Sequence, residues 1–149
     1  MERDIVDLLR EDHTRMDGLL TELDRVGSPH RREQAVSELV AALGRHLDAE
    51  EALLEPVVRK LLPSLMAELL REHADLKHLL TRLDYLDYMA RFFGSFELTL
   101  GLLEEMVRNH IEEAEETIFP RVLRDVPATR RYQLGAQFVR FSATTLMSA

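Results

Sequence analysis

The chain has 149 residues, 46% of them hydrophobic and 31% charged, with only six Gly and five Pro; that length and composition suit one helical domain able to bury its own core. A formal charge of −8 argues against nucleic acid or an anionic membrane as partner, because both reward a basic face. The absence of Cys excludes disulfides, iron–sulfur clusters and thiolate catalysis, which leaves His and carboxylates as the available metal ligands.

Apolar residues recur at three- and four-residue spacing, which predicts helices. The first runs from Glu2 to Arg25 on a stripe of Ile5, Leu9, Met16, Leu20 and Leu23, and stops at Gly27. Ser28 and Pro29 restart the chain as N-cap and first helical residue. The second helix, Pro29 to Leu62, carries Val36, Val40, Leu43, Leu53 and Val57. The third, Leu65 to Met89, follows Ser64 as its expected cap and uses Met66, Leu69, Leu76, Leu80 and Leu83. Gly94 and Ser95 separate it from the fourth, Phe96 to Arg124, with Leu100, Leu103, Val107, Ile111 and Ile118. Long helices joined by short turns predict an all-α, up-down-up-down four-helix bundle over residues 1–127. Residues 128–149 read as a short C-terminal fifth helix, with Tyr132, Leu134, Phe138 and Phe141 covering one end of the bundle or the same helix of a second copy in a homodimer. The N-terminus is charged and lacks the apolar run of a signal peptide, and no stretch is apolar enough to span a membrane, so the expected location is the cytoplasm.

Histidines fall on the apolar stripes. His13 lies between Leu9 and Met16, His46 three after Leu43, His73 between Leu69 and Leu76, and His110 three after Val107. Glu50 follows His46 by four residues and so points inward with it; Glu115 lies between Ile111 and Ile118. A single inward His is usually a hydrogen-bonded core residue. Here all four long helices supply one, near mid-helix, and an ionised Glu in a dry core costs several kcal/mol unless it is paired or neutralised. A bound cation explains the set.

An internal echo supports this. His46 and His110 are each followed by a Glu pair and then by a Pro ten residues on, Pro56 and Pro120. Of the pairs, Glu50 and Glu115 are expected inward, Glu51 and Glu116 on the solvated flank. His110 and Glu115 stand about 140° apart at about 100° per residue, so a long side chain or a π-bulge has to close the gap. His30, beside Pro29, reads as a surface residue.

On these residues the chain resembles the hemerythrin-like, or HHE cation-binding, domains over residues 5 to 124. The match rests on the inward His of helix one, the His-x-x-x-Glu of helix two, Glu72-His73 in helix three and the His-x-x-x-x-acid of helix four. The resemblance implies two iron ions, with manganese or zinc as substitutes, bound terminally by His13, His46, His73 and His110 and bridged by Glu50 and Glu115. Oxygen-carrying members place a second His four residues after the first in helix three. Here Lys77 stands there, bringing an ammonium close to the metal, with His78 next to it as a candidate ligand. The ferritin-like alternative needs Glu-x-x-His on two helices, and only Asp75-x-x-His78 approximates it. Asp17, Glu72 and Asp75 are candidates to hold the outer nitrogens of the imidazoles.

Two function classes fit such a site. One is a di-iron protein that binds or senses O2, nitric oxide or iron, and this is the favoured one. The other is an oxidoreductase acting on peroxide or nitric oxide, with Tyr85 or Tyr88 as redox-active neighbours.

Overall fold

A computed structural model of the chain describes residues 2–88 and 93–147, with side chains described for 2–85 and 95–144. Its helices are α1 (Ile5–Arg25), α2 (Pro29–Ala49), α3 (Glu55–Leu61), α4 (Met66–Tyr88), α5 (Phe93–Glu113), α6 (Phe119–Asp125) and α7 (Ala128–Met147). There is no strand among the described residues, as the all-α reading requires. α1 packs on α2, α2 on α4 and α4 on α5, and α5 closes back on α1.

The second and fourth long helices are each interrupted. A five-residue π-turn, Glu50–Leu54, joins α2 to α3, and another, Ala114–Ile118, joins α5 to α6. In each, the N–H of the next residue reaches back five positions, Glu55 to the Glu50 carbonyl and Phe119 to that of Ala114. Pro56 and Pro120 come directly afterwards. Proline lacks an N–H and its ring crowds the carbonyl four residues back, so the wider turn absorbs it without breaking the helix.

The caps follow the sequence closely. Asp4 caps α1, accepting from the Val6 N–H at 3.0 Å, and the Ser28 hydroxyl accepts from the Arg31 N–H at 3.4 Å, with Pro29 opening α2. Ser64 instead lies in a single 3₁₀ turn, Pro63–Leu65, that leads into α4. The expected end of the third helix at Met89 lies outside the described residues. α5 begins at Phe93, so Gly94 and Ser95 fall inside its first turn rather than before it.

The expected stripes form the interior, although Val40, Leu53, Val57 and Ile111 are only partly covered. That interior is two apolar clusters. One gathers Met16, Leu20, Leu39, Leu43, Leu76, Leu83, Leu103 and Val107. The other gathers Ile5, Leu9, Leu54, Val58, Ile118, Phe119 and Val122. At about 1.5–3 kcal/mol per fully buried aliphatic side chain, these clusters hold the bundle.

α7 is nearly as long as α1 and lies against α1 and α2. Leu134 and Phe138 join the second cluster, whereas Tyr132 is exposed. Arg131 Nε donates to Asp4 Oδ2 at 2.6 Å, and its guanidinium also donates to the Val126 carbonyl at 2.6 Å, so the residue that caps α1 also anchors α7. No helix among the described residues is long and apolar enough to cross a membrane.

Two tests follow from this packing. At Gly135 an added methyl would lie 1.9 Å from the Arg3 carbonyl oxygen, which is backbone and cannot step aside alone. Gly135→Ala should therefore lower stability by about 1–3 kcal/mol in a denaturant melt, as overpacking typically does, despite alanine's better helix propensity. The second concerns Glu104 on α5, whose Oε1 is buried without a partner. Burial and the Asp24 carboxylate beside it push Glu104 from the ordinary 4.5 up to about 7. Between those values the folded chain holds a proton that the unfolded chain has released, so this group's contribution to stability falls as pH rises. Glu104→Gln should flatten that fall and raise Tm at pH 8, measured as Tm against pH for both proteins.

Candidate metal centre

Between the two apolar clusters lies a polar layer of His13, His46, His73, His110 and Glu50, each no more than 4% exposed. Glu50 stands on the first residue of its π-turn, one helical turn beyond His46. Its Oε1 lies 3.3 Å from His46 Nε2, and its Oε2 lies 3.1 Å from His110 Nε2 and 3.3 Å from His73 Nε2. His46 and His110 face each other with 3.4 Å between their Nε2 atoms. His13 completes the group, its ring centroid 4.9 Å from that of His46 and 6.0 Å from that of His110, stacked on Phe119.

The outer nitrogens face carboxylates on neighbouring helices. His46 Nδ1 lies 3.2 Å from Asp12 Oδ2, His110 Nδ1 2.7 Å from Glu72 Oε1, and His13 Nδ1 3.1 Å from Glu115 Oε1. His73 Nδ1 is 3.4 Å from Glu51 Oε1, outside hydrogen-bond geometry. A carboxylate on Nδ1 fixes the ring and leaves Nε2 facing the interior, the arrangement typical of metal-binding imidazoles.

Electrostatics set His13 apart from His46 and His110. Burial opposes the charged form of His46 and of His110, but Glu50, joined by Asp12 at His46 and by Glu72 at His110, outweighs it; both are raised, His110 to about 10. Burial likewise opposes the Glu50 carboxylate, yet His46 and His110 hold its pKa well below the usual 4.5. His13 moves the other way, lowered to about 4 by burial and by the charge of His46. Protons can therefore balance Glu50 in a metal-free chain. They do not account for His13 Nε2 or His73 Nε2, which are buried without a hydrogen-bond partner. A cation does: one ligand atom each from His13, His46, Glu50 and His110 lies within 4.8 Å of the others, and Glu72, His73 and His110 form an adjoining group of the same kind. Three imidazoles and a carboxylate suit iron, manganese, zinc or copper better than an all-oxygen calcium or magnesium site.

Several expectations need correction. Glu115 does not reach the converging atoms; its side chain is 41% exposed and accepts from the outside of His13. The π-turn that was to close the gap begins only at Ala114, so nearly all the path from His110 is ordinary helix and the wide angle remains. His78 is exposed and belongs to neither group, because the helix around it is regular and turns it away from Leu76 and Leu80. Glu51 is half-buried beside His73 rather than solvated, while Glu116 is exposed. Lys77 does not face the centre: its Nζ donates to Glu51 Oε2 and Asp48 Oδ1, both at 2.9 Å. Of the expected outer carboxylates only Glu72 serves. Asp17 faces Arg108 at 3.6 Å and Asp75 is exposed, whereas Asp12, Glu51 and Glu115 take those places. Asp12 and Glu72 share a signal in the sequence, each standing directly before an inward His. Tyr85 is 59% exposed, which removes it as a redox neighbour, and the Tyr88 side chain lies outside those described.

A cleft of about 370 Å³ opens between α1 and α5 against His13, lined by Thr14, Asp17, Arg108, Ile111, Glu112 and Glu115. It is the nearest approach from solvent to the polar layer among the clefts described.

One curated relative, a DNA nickase of Nostoc sp. (strain PCC 7120), is 26% identical over 135 residues, covering 90% of this chain, which in turn spans 38% of that protein. No solved structure matches the chain. The family model for the hemerythrin HHE cation binding domain matches residues 4–122, and the chain belongs to that family.

Proposed function

We propose that the polar layer holds two iron ions and that the protein binds or senses a small ligand there, O2 or nitric oxide. The observation that carries this reading is the pair of unpartnered inner nitrogens, on His13 and His73, in the layer around one buried carboxylate. His13, His46 and Glu50 Oε1 would hold one ion, and His73, His110 and Glu50 Oε2 the other. Bound there, iron supplies redox chemistry and affinity for diatomic ligands. The chain's own residues orient three of the imidazoles through Asp12, Glu72 and Glu115, and exclude bulk water by the apolar clusters on either side. The cleft beside His13 is of a size for a diatomic or peroxide to approach.

An oxidoreductase acting on peroxide or nitric oxide is the alternative at the same residues, and steady turnover would select it. The name of the Nostoc relative brings a third reading, DNA nicking. A formal charge of −8 works against DNA affinity, and a plasmid-relaxation assay on the iron-loaded protein decides it.

Purified protein should carry close to two transition-metal ions per chain, mainly iron, and its optical spectrum should change reversibly with nitric oxide or O2 without consuming it. Full helicity with an unchanged Tm on iron addition would count against any bound ion. Among variants, Glu50→Ala should lose nearly all metal, since it alone supplies an anion within the layer. Glu115→Ala should cost only about 10–100-fold in affinity, the usual effect of removing an outer partner. Loss of one ion from Glu115→Ala, read by elemental analysis, would instead make that carboxylate a direct ligand.

A further inference from the structure

The polar layer has an internal two-fold correspondence. Asp12-His13 on α1 answers Glu72-His73 on α4, and the stretch from His46 on α2 answers that from His110 on α5. Both π-turns start four residues after the histidine, so Glu50 corresponds to Ala114 and Glu51 to Glu115. The outer contacts obey the same rule. Asp12 serves His46 as Glu72 serves His110, and Glu115 faces His13 as Glu51 faces His73.

One contact is unequal. Glu115 is hydrogen-bonded to His13 Nδ1 at 3.1 Å, whereas Glu51 stands 3.4 Å from His73 Nδ1 without a bond. The groups around the two carboxylates differ in a way that accounts for it. Lys77, four residues after His73, takes the other oxygen of Glu51 at 2.9 Å and is itself held by Asp48. The residue four after His13 is Asp17, which offers Glu115 no cation and faces Arg108 instead. An ammonium on Glu51 neutralises its charge and fixes its plane, and both effects weaken it as an acceptor for the imidazole.

We propose that Lys77 is a positioning residue that draws Glu51 off His73, making His73 the most loosely held and weakest-donating imidazole of the four. This rests on the metal-centre reading above. An imidazole whose Nδ1–H is bonded to a carboxylate is a stronger donor to a metal through Nε2. Competition by Lys77 therefore leaves the ion on the His73 side the more weakly bound. The same lysine that replaces a further histidine in the helix also lowers the affinity of the histidine that remains.

The test uses cobalt(II) titrated into metal-free protein, followed by its visible bands, for the unaltered chain, Lys77→Met, Lys77→Arg, Glu51→Ala and the double variant Lys77→Met/Glu51→Ala. Lys77→Met should bind the weaker cobalt about tenfold more tightly, by releasing Glu51 to His73. Lys77→Arg should match the unaltered chain. Glu51→Ala should bind more weakly, and the double variant should equal Glu51→Ala, because the lysine acts only through that carboxylate. A second readout needs no metal: in ¹⁵N-labelled protein, solvent exchange of the His73 Nδ1–H should slow in Lys77→Met, as a new hydrogen bond requires. Equal or weaker cobalt binding by Lys77→Met, or a gain that survives in the double variant, overturns the proposal. If the unaltered chain binds no cobalt, the metal-centre reading fails, and the His73 exchange rate alone still decides the role of Lys77.

Discussion

Glu50 is the constraint around which the rest is arranged. A carboxylate 4% exposed at the middle of a helical bundle is tolerable only when opposite charge and hydrogen-bond donors surround it. The chain meets that requirement with imidazoles from four helices, and this requirement divides the apolar interior in two. One cluster lies on the side of Leu20, Leu43 and Leu103, the other on the side of Leu9, Leu54 and Phe119. Each half supplies ordinary hydrophobic stabilisation. The layer between them contributes little by the same measure, so its composition points to a task other than holding the helices together.

The layer is built twice. An acid-histidine pair on one helix and a histidine followed by a π-turn on the next make a unit; Asp12 and Glu72 each serve the second histidine of their own unit, while Glu115 and Glu51 reach across to the first histidine of the other. Two departures from the symmetry bear on the centre. Ala114 stands where Glu50 has its counterpart, leaving a single anion in the centre, and Asp17 stands where Lys77 does. Both breaks are changes of charge rather than of shape. They make the His13 and His73 sides chemically unequal while keeping the backbone scaffold the same.

Much of this was legible in the sequence, because it depends on spacing. A three-and-four rhythm puts His13, His46, His73, His110 and Glu50 on the same rows as the buried leucines, and those five residues do meet. The caps at Ser28 and the echo ending in Pro56 and Pro120 were legible for the same reason. What was not legible depends on where a helix departs from its regular pitch. The position of Glu115 turns on how much of the widened turn precedes it, and a proline fixes the presence of such a turn more firmly than its first residue. Outer carboxylates are harder still. Asp12 and Glu51 sit on flanks that sequence periodicity assigns to solvent, and only the crossing of a neighbouring helix brings those flanks beside an imidazole. His78 shows the converse: a residue type suited to a site, one position off the stripe, is carried by a regular helix to the surface.

The outer carboxylates also decide which form of the layer is ready to take a cation. Burial and the charge of His46 lower His13 to about 4, so its ring is neutral near pH 7. Its Nδ1 then carries the proton, donated to Glu115, and Nε2 presents a lone pair to the interior without rearrangement. His46 and His110 are shifted the opposite way, raised with Glu50 beside them, and His110, at about 10, must give up a proton before a metal can take its place. A cation therefore meets one imidazole already in its ligating form and another that has to be discharged. Glu50 serves both states, as the counter-ion of the imidazoles when the layer holds protons and as the anionic ligand when it holds a metal. That dual fitness lets a single buried carboxylate persist in a folded chain whether or not the site is filled.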